Sequence, residues 1–110
     1  ENFVYLEMLR FIKDRKISGL TPIFGDYKGG EIDFLARSQL DYQDYAIEVK
    51  AGNNSGKAAN MLLNDGKVKY VYFLKGNTVG GIDGRKITIP IALAGRLDFN
   101  LGSTKQMNFF

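Results

Sequence analysis

The sequence predicts one α/β domain in the order α-β-β-β-α-β, with a mixed sheet flanked by helices. Three observations carry this. The opening segment has apolar residues at helical spacing, the middle of the chain alternates as strands do, and a short helical stretch separates two strand-like segments.

Residues 1–16 place Val4, Tyr5, Met8, Leu9, Phe11 and Ile12 on one arc and Glu7, Arg10, Lys13 and Asp14 on the other. Gly19 and the Thr21-Pro22 pair are the expected stop. Pro22 to Tyr27 reads as a strand, and Lys28-Gly29-Gly30 as a hairpin turn into a second strand, Glu31 to Arg37. Asp44 to Lys50 alternates, with Tyr45, Ile47 and Val49 facing the core and Ala46, Glu48 and Lys50 on the opposite, open face. A helix is expected over Lys57 to Asn64, capped by Asn54 or Ser55. Lys69 to Leu74 is apolar on both faces, as a central strand is. Gly76 to Gly84 reads as a glycine-rich loop and Lys86 to Ala94 as a last strand, which Pro90 assigns to an edge. The domain is expected over residues 1–98, followed by a partly disordered tail over 99–110.

A chain of 110 residues with 45% hydrophobic residues fits one domain with its own core. It has no cysteine and no histidine, which removes disulfides, thiolate and imidazole ligands and the usual general base. Any bound metal is therefore a hard ion held by oxygen, Mg²⁺ or Mn²⁺. The net charge of +3 permits contact with phosphates without establishing it. With no membrane-length apolar run and no secretory leader in view, a cytoplasmic location without membrane contact is expected. The chain opens without methionine in a helical pattern, as expected of a domain from a longer protein.

Chemistry concentrates in three blocks. In Glu48-Val49-Lys50 the acid and the lysine project from one side of a strand. In Glu31-Ile32-Asp33-Phe34 the two acids share a face, so Asp33 can approach Glu48 if the strands are neighbours. Two adjacent carboxylates repel unless a cation or proton lies between them; the alternative is that both face water. Glu1 falls within the apolar arc of the first helix, where it either reaches a metal or meets the helix dipole.

The blocks ENFVYLEML, GEIDFL and AIEVKAG together resemble the PD-(D/E)XK nuclease-like domain found at the C-terminus of many prokaryotic AAA-type ATPases. The resemblance extends through KYVYFL and ITIPIAL to about Asp98. It implies a restriction-endonuclease-like core, with Asp33 and Glu48 as acidic metal ligands, Glu1 as an accessory acid and Lys50 as the catalytic lysine. It also implies an N-terminal ATPase module in the same full-length chain. That module is absent here, because Gly80-Gly81-Ile82-Asp83-Gly84 lacks the spacing and context of a phosphate-binding loop. Two functions compete: Mg²⁺- or Mn²⁺-dependent phosphodiester hydrolysis on nucleic acid, and a catalytically silent module that docks nucleic acid or protein. Lys28, Lys57, Arg85 and Lys86 are the candidate phosphate contacts, against the alternative of solvated surface cations.

Overall fold

The computed structural model describes residues 2–27, 30–50, 57–76 and 78–102. Its elements are α1 (Asn2–Lys13), β1 (Ile17–Tyr27), β2 (Gly30–Ser38), β3 (Asp44–Lys50), α2 (Lys57–Asn64), β4 (Tyr70–Lys75), β5 (Gly81–Asp83), β6 (Lys86–Pro90) and a 3-10 helix over Ile91–Arg96. The six strands form one mixed sheet in the order β1-β2-β3-β4-β6-β5. β1, β2 and β3 run antiparallel, β3, β4 and β6 run parallel, and β5 returns antiparallel along β6.

Helix α1 buries Val4, Met8 and Phe11 against the sheet, the i, i+4, i+7 stripe that its sequence carries. It ends before the expected glycine and proline. Lys16 N–H donates to the Phe11 carbonyl at 2.9 Å and Arg15 N–H to that of Ile12 at 3.0 Å, the paired bonds of a Schellman stop. Arg15 takes the left-handed conformation (φ 61°) that glycine more often supplies there, which is why the sequence concealed this helix end. Lys16 then lies over the Phe11 ring. The chain is thus free to begin β1 at Ile17, and Gly19, Thr21 and Pro22 fall inside that strand instead of ending a helix. Pro22 offers no N–H to a ladder, and the β1–β2 register slips between Ser18 and Ile23.

The sheet is covered on both sides. Tyr45, Ile47, Tyr70, Tyr72 and Leu74 enter one core with α1, Ala94 and Leu97. Ala46, Val71 and Phe73 enter the other with Ala58, Ala59 and Leu62 of α2. β4 is therefore central and buried on both faces, as its unbroken apolar sequence predicts. The expected last strand stops at Pro90, and the expected loop contains β5, which is the true edge. Pro90 is tolerated in β6 because β5 reaches only Lys86 to Thr88, so nothing pairs with β6 on that side at Pro90. The β5–β6 hairpin turns through Gly84 and Arg85, and Gly84 has the positive φ (62°) that the first centre of such a turn requires.

The packed chain continues past Asp98. Phe99 is 1% exposed and meets Phe11, Tyr45 and Tyr72 edge-on, with ring centroids 5.0–6.3 Å apart. Three hydroxyls hold this segment. Ser38 donates to the Phe99 carbonyl, Tyr72 donates to the Asp98 carbonyl at 2.7 Å, and Leu101 N–H donates to the Tyr45 hydroxyl at 3.1 Å. Tyr45 in turn donates to Asp41 at 2.5 Å, and that carboxylate also accepts the Gly102 and Gln43 N–H groups. A tail beginning at residue 99 is therefore not what Phe99 to Gly102 form, while 103–110 lie outside the described residues. Among the described residues no helix is long and apolar enough to cross a membrane.

Burial pushes the Asp41 carboxyl up, but the Tyr45 hydroxyl, the Gln43 and Gly102 amides and Ser38 outweigh it and hold it below the ordinary carboxylate value. Burial pushes both Tyr45 and Tyr72 well above the ordinary phenol value. A carboxyl depressed in the folded state stabilises the fold above its unfolded value, and this is lost as pH falls through the folded value. Asp41→Asn is expected to cost about 1–3 kcal/mol at pH 7 in urea unfolding, with the gap from wild type closing below about pH 4. Phe99→Ala is expected to cost about 3–5 kcal/mol in the same assay.

Candidate functional site

The regular β2–β3 ladder runs from Arg37↔Asp44 to Phe34↔Ile47. One further antiparallel step would set Asp33 opposite Glu48. β2 departs from regularity here. Against β1, Ile23 pairs with Leu35 and Gly25 with Ile32, so two residues of β2, Asp33 and Phe34, oppose the single Phe24. That is a β-bulge, a device that re-aims a side chain. Asp33 Oδ2 accepts the Val49 N–H at 2.7 Å. A backbone N–H of this kind ordinarily meets a carbonyl of the neighbouring strand, so the Asp33 side chain substitutes for backbone. Its carboxylate rests against the peptide unit that joins Glu48 to Val49.

Glu48 is 5% exposed and is the one charged residue buried among those described. It follows Ala46 on the α2 side of β3, opposite Phe73 in the parallel register. The face expected to be open is covered by α2, because Ala58, Ala59 and Leu62 are small or apolar enough to pack on it. An ionised carboxylate buried there must be held by donors, opposite charge or a cation. Asp33 is half-buried.

Lys50 ends β3 two residues beyond Glu48, its backbone paired with Lys75. Its side chain and that of Lys57 lie outside the described set, as do Glu1 and Lys28 entirely. Arg85 is exposed in the β5–β6 turn. Lys86 is half-buried and lines a cavity of about 460 Å³ between α2 and the strands β4, β6 and β5. The cavity also takes in Asn60, Lys75 and Thr88, none of which the sequence singled out. A signal for Lys75 was available, since it ends β4 as Lys50 ends β3, in register with it.

The described residues thus set the Asp33 carboxylate against the residue that follows Glu48, and contain no group of three metal-ligating side chains. Asp33 keeps one carboxylate oxygen outside its bond to Val49. Two carboxylates and no nitrogen or sulfur suit Mg²⁺ or Mn²⁺, which retain much of their hydration when few protein ligands are offered. No protein-family model, curated protein or solved structure matches the chain.

Proposed function

We propose that this chain is a metal-dependent phosphodiesterase module acting on nucleic acid, with a restriction-endonuclease-like core. The observation that carries the proposal is the bulged Asp33, whose carboxylate lies against the Glu48–Val49 peptide while Glu48 is buried beside it. A strand that gives up a backbone bond to a side chain, next to a buried acid, is better explained by a site than by packing. The motif resemblance supports the same residues and a position beside an ATPase module in a longer chain.

Asp33 and Glu48 would hold Mg²⁺ or Mn²⁺, which when bound supplies Lewis-acid stabilisation of the phosphodiester and acidifies water. The chain's own contributions are positional. The Val49 N–H fixes the Asp33 carboxylate, and α2 keeps bulk water from Glu48, which strengthens electrostatics there. Lys50 is the residue assigned to the attacking water or to the charge developing on the pentacovalent phosphorus. A second reading, a silent docking module, is favoured by the depth of Glu48, at which a substrate has little direct access.

Two measurements test this. Millimolar Mg²⁺ or Mn²⁺ is expected to raise the melting temperature of wild type, by the equivalent of about 2.7 kcal/mol at a hundred times Kd. Asp33→Asn is expected to abolish that rise, whatever its own baseline stability. A wild-type midpoint indifferent to both ions would remove the metal. In nicking assays on plasmid and single-stranded DNA, Lys50→Ala is expected to lower turnover by about 10²–10⁴. Affinity for DNA in Ca²⁺ should stay unchanged. Wild type that binds DNA but cuts nothing, with Mg²⁺ or Mn²⁺ and the ATPase module present, would leave the docking module standing.

A further inference from the structure

The cavity between α2 and the strands β4, β6 and β5 lies on the same face of the sheet as Glu48. In register, Glu48 pairs with Phe73 and Phe73 with Thr88, so one row of the sheet runs from the buried acid into the cavity. Two strand spacings separate β3 from β6, about 10 Å. The lining differs in kind from the acidic end of that row. Lys75 and Lys86 are both half-buried in it, and neither is ion-paired among the described residues. One acid, Asp83, stands across from Lys86 on the edge strand and is exposed. The β4–β6 register sets the two lysines four residues apart, at opposite ends of the cavity, so both present positive charge to an anion lying between them.

The remaining walls fit an anion that carries a base and a sugar. Thr78 and Thr88 offer hydroxyls, and Phe73 forms an apolar floor. Asn60, on α2, brings in an amide whose buried Oδ1 has no hydrogen-bond partner among the described residues. Rotating that amide presents its N–H₂ group instead. Gly80 and Gly81 form the rim without side chains, and Gly80 (φ +84°) comes so near β6 that a Cβ there would lie 3.0 Å from the Thr88 carbonyl. The volume of about 460 Å³ is within the usual range for small-ligand sites.

We propose that this cavity is a nucleotide-phosphate subsite, in which Lys75 and Lys86 hold phosphate and Asn60, Thr78 and Thr88 supply polar contacts. It deepens the phosphodiesterase proposal, resting on it for the identity of the ligand as a strand lying across β3, β4 and β6. The same chemistry would take a free nucleoside monophosphate, and the experiment separates the two sources.

Binding is measured on wild type in EDTA, so that no metal contributes, with a fluorescein-labelled oligothymidylate, thymidine 5′-monophosphate and inorganic phosphate as probes. Amide chemical shifts report the location. Wild type is expected to bind the oligonucleotide with shifts at Thr78, Gly80, Gly81 and Thr88. Lys75→Gln/Lys86→Gln is expected to weaken it at least tenfold and to reduce the salt slope by about one unit per lysine. The melting temperature reports whether that variant folds, and the wild-type shifts stand independently of it. Monophosphate binding as tight as that of the strand supports the site with the free nucleotide as its ligand. Absence of binding by all three probes, shifts confined to other surfaces, or a folded double variant within twofold of wild type would overturn it. Wild type that binds at these amides but never cuts leaves the subsite standing without the phosphodiesterase. Wild type that cuts, alongside a double variant with unchanged KM, leaves the phosphodiesterase without the subsite.

Discussion

Side chains close on β3 from opposite directions, Tyr45 and Ile47 into the α1 core and Ala46 into the α2 core, and its neighbours are arranged around that constraint. A strand covered on both faces has no solvated side on which to leave a charge. Glu48 is nevertheless in it, two residues from the strand's end, at 5% exposure. Such a carboxylate weakens the fold unless donors, opposite charge or a cation compensate it. Alongside it β2 bulges, and Asp33 leaves the ordinary ladder to bond the Val49 N–H, which brings a second acid to this end of β3 and adds to what must be compensated.

The other end of β3 is secured by a different principle. Tyr45 and Tyr72 bury large rings but carry hydroxyls that need partners, and both find them in the chain from Asp98 to Leu101. Asp41 gathers the Tyr45 hydroxyl and two backbone amides, so one half-buried loop acid ties the β2–β3 connection to the end of the described chain. These bonds are short-range and directional, and they depend on Phe99 filling the space among three rings. Packing and hydrogen bonding are therefore coupled here, and loss of either leaves buried polar atoms behind.

Much of this was legible because the chain keeps to simple periods. Asp44–Lys50 and Lys57–Asn64 begin and end where alternation and helical spacing put them, and the double-faced burial of Tyr70 to Leu74 follows from an apolar run. The misses have definite causes. Arg15 takes a glycine's place in a helix stop, so the boundary slid to Gly19. Pro90 marks a place where β6 lacks a neighbour, and the edge itself is the three-residue β5, too short to have a period. Phe99 and Leu101 sit in a stretch without regular spacing, and their burial comes from hydroxyls far away in sequence. The candidate acids were visible as Asp33 and Glu48, but alternation alone put Glu48 on an open face. The coverage by α2 is a tertiary fact that no strand pattern reveals.

The α2 side of the sheet carries both signs of charge, and this bears on how an anionic ligand could be held there. Glu48 lies at one end of the row that passes through Phe73 to Thr88; Lys86 is two residues from Thr88 on β6, and Lys75 is two residues from Phe73 on β4, the strand next to Glu48. A phosphate about 10 Å from a carboxylate is repelled by about 1.7 kcal/mol per pair of unit charges at an effective dielectric near 20. Two acids would double that penalty, and the modest net charge of the chain does little to offset it. Two nearer lysines reverse the balance, because attraction grows as distance shrinks and half-burial limits screening by salt. A cation between the carboxylates would remove the repulsion altogether. On the proposed reading, a phosphate in the lysine cavity would need no metal beside it, because the lysines would outweigh a carboxylate two strands away.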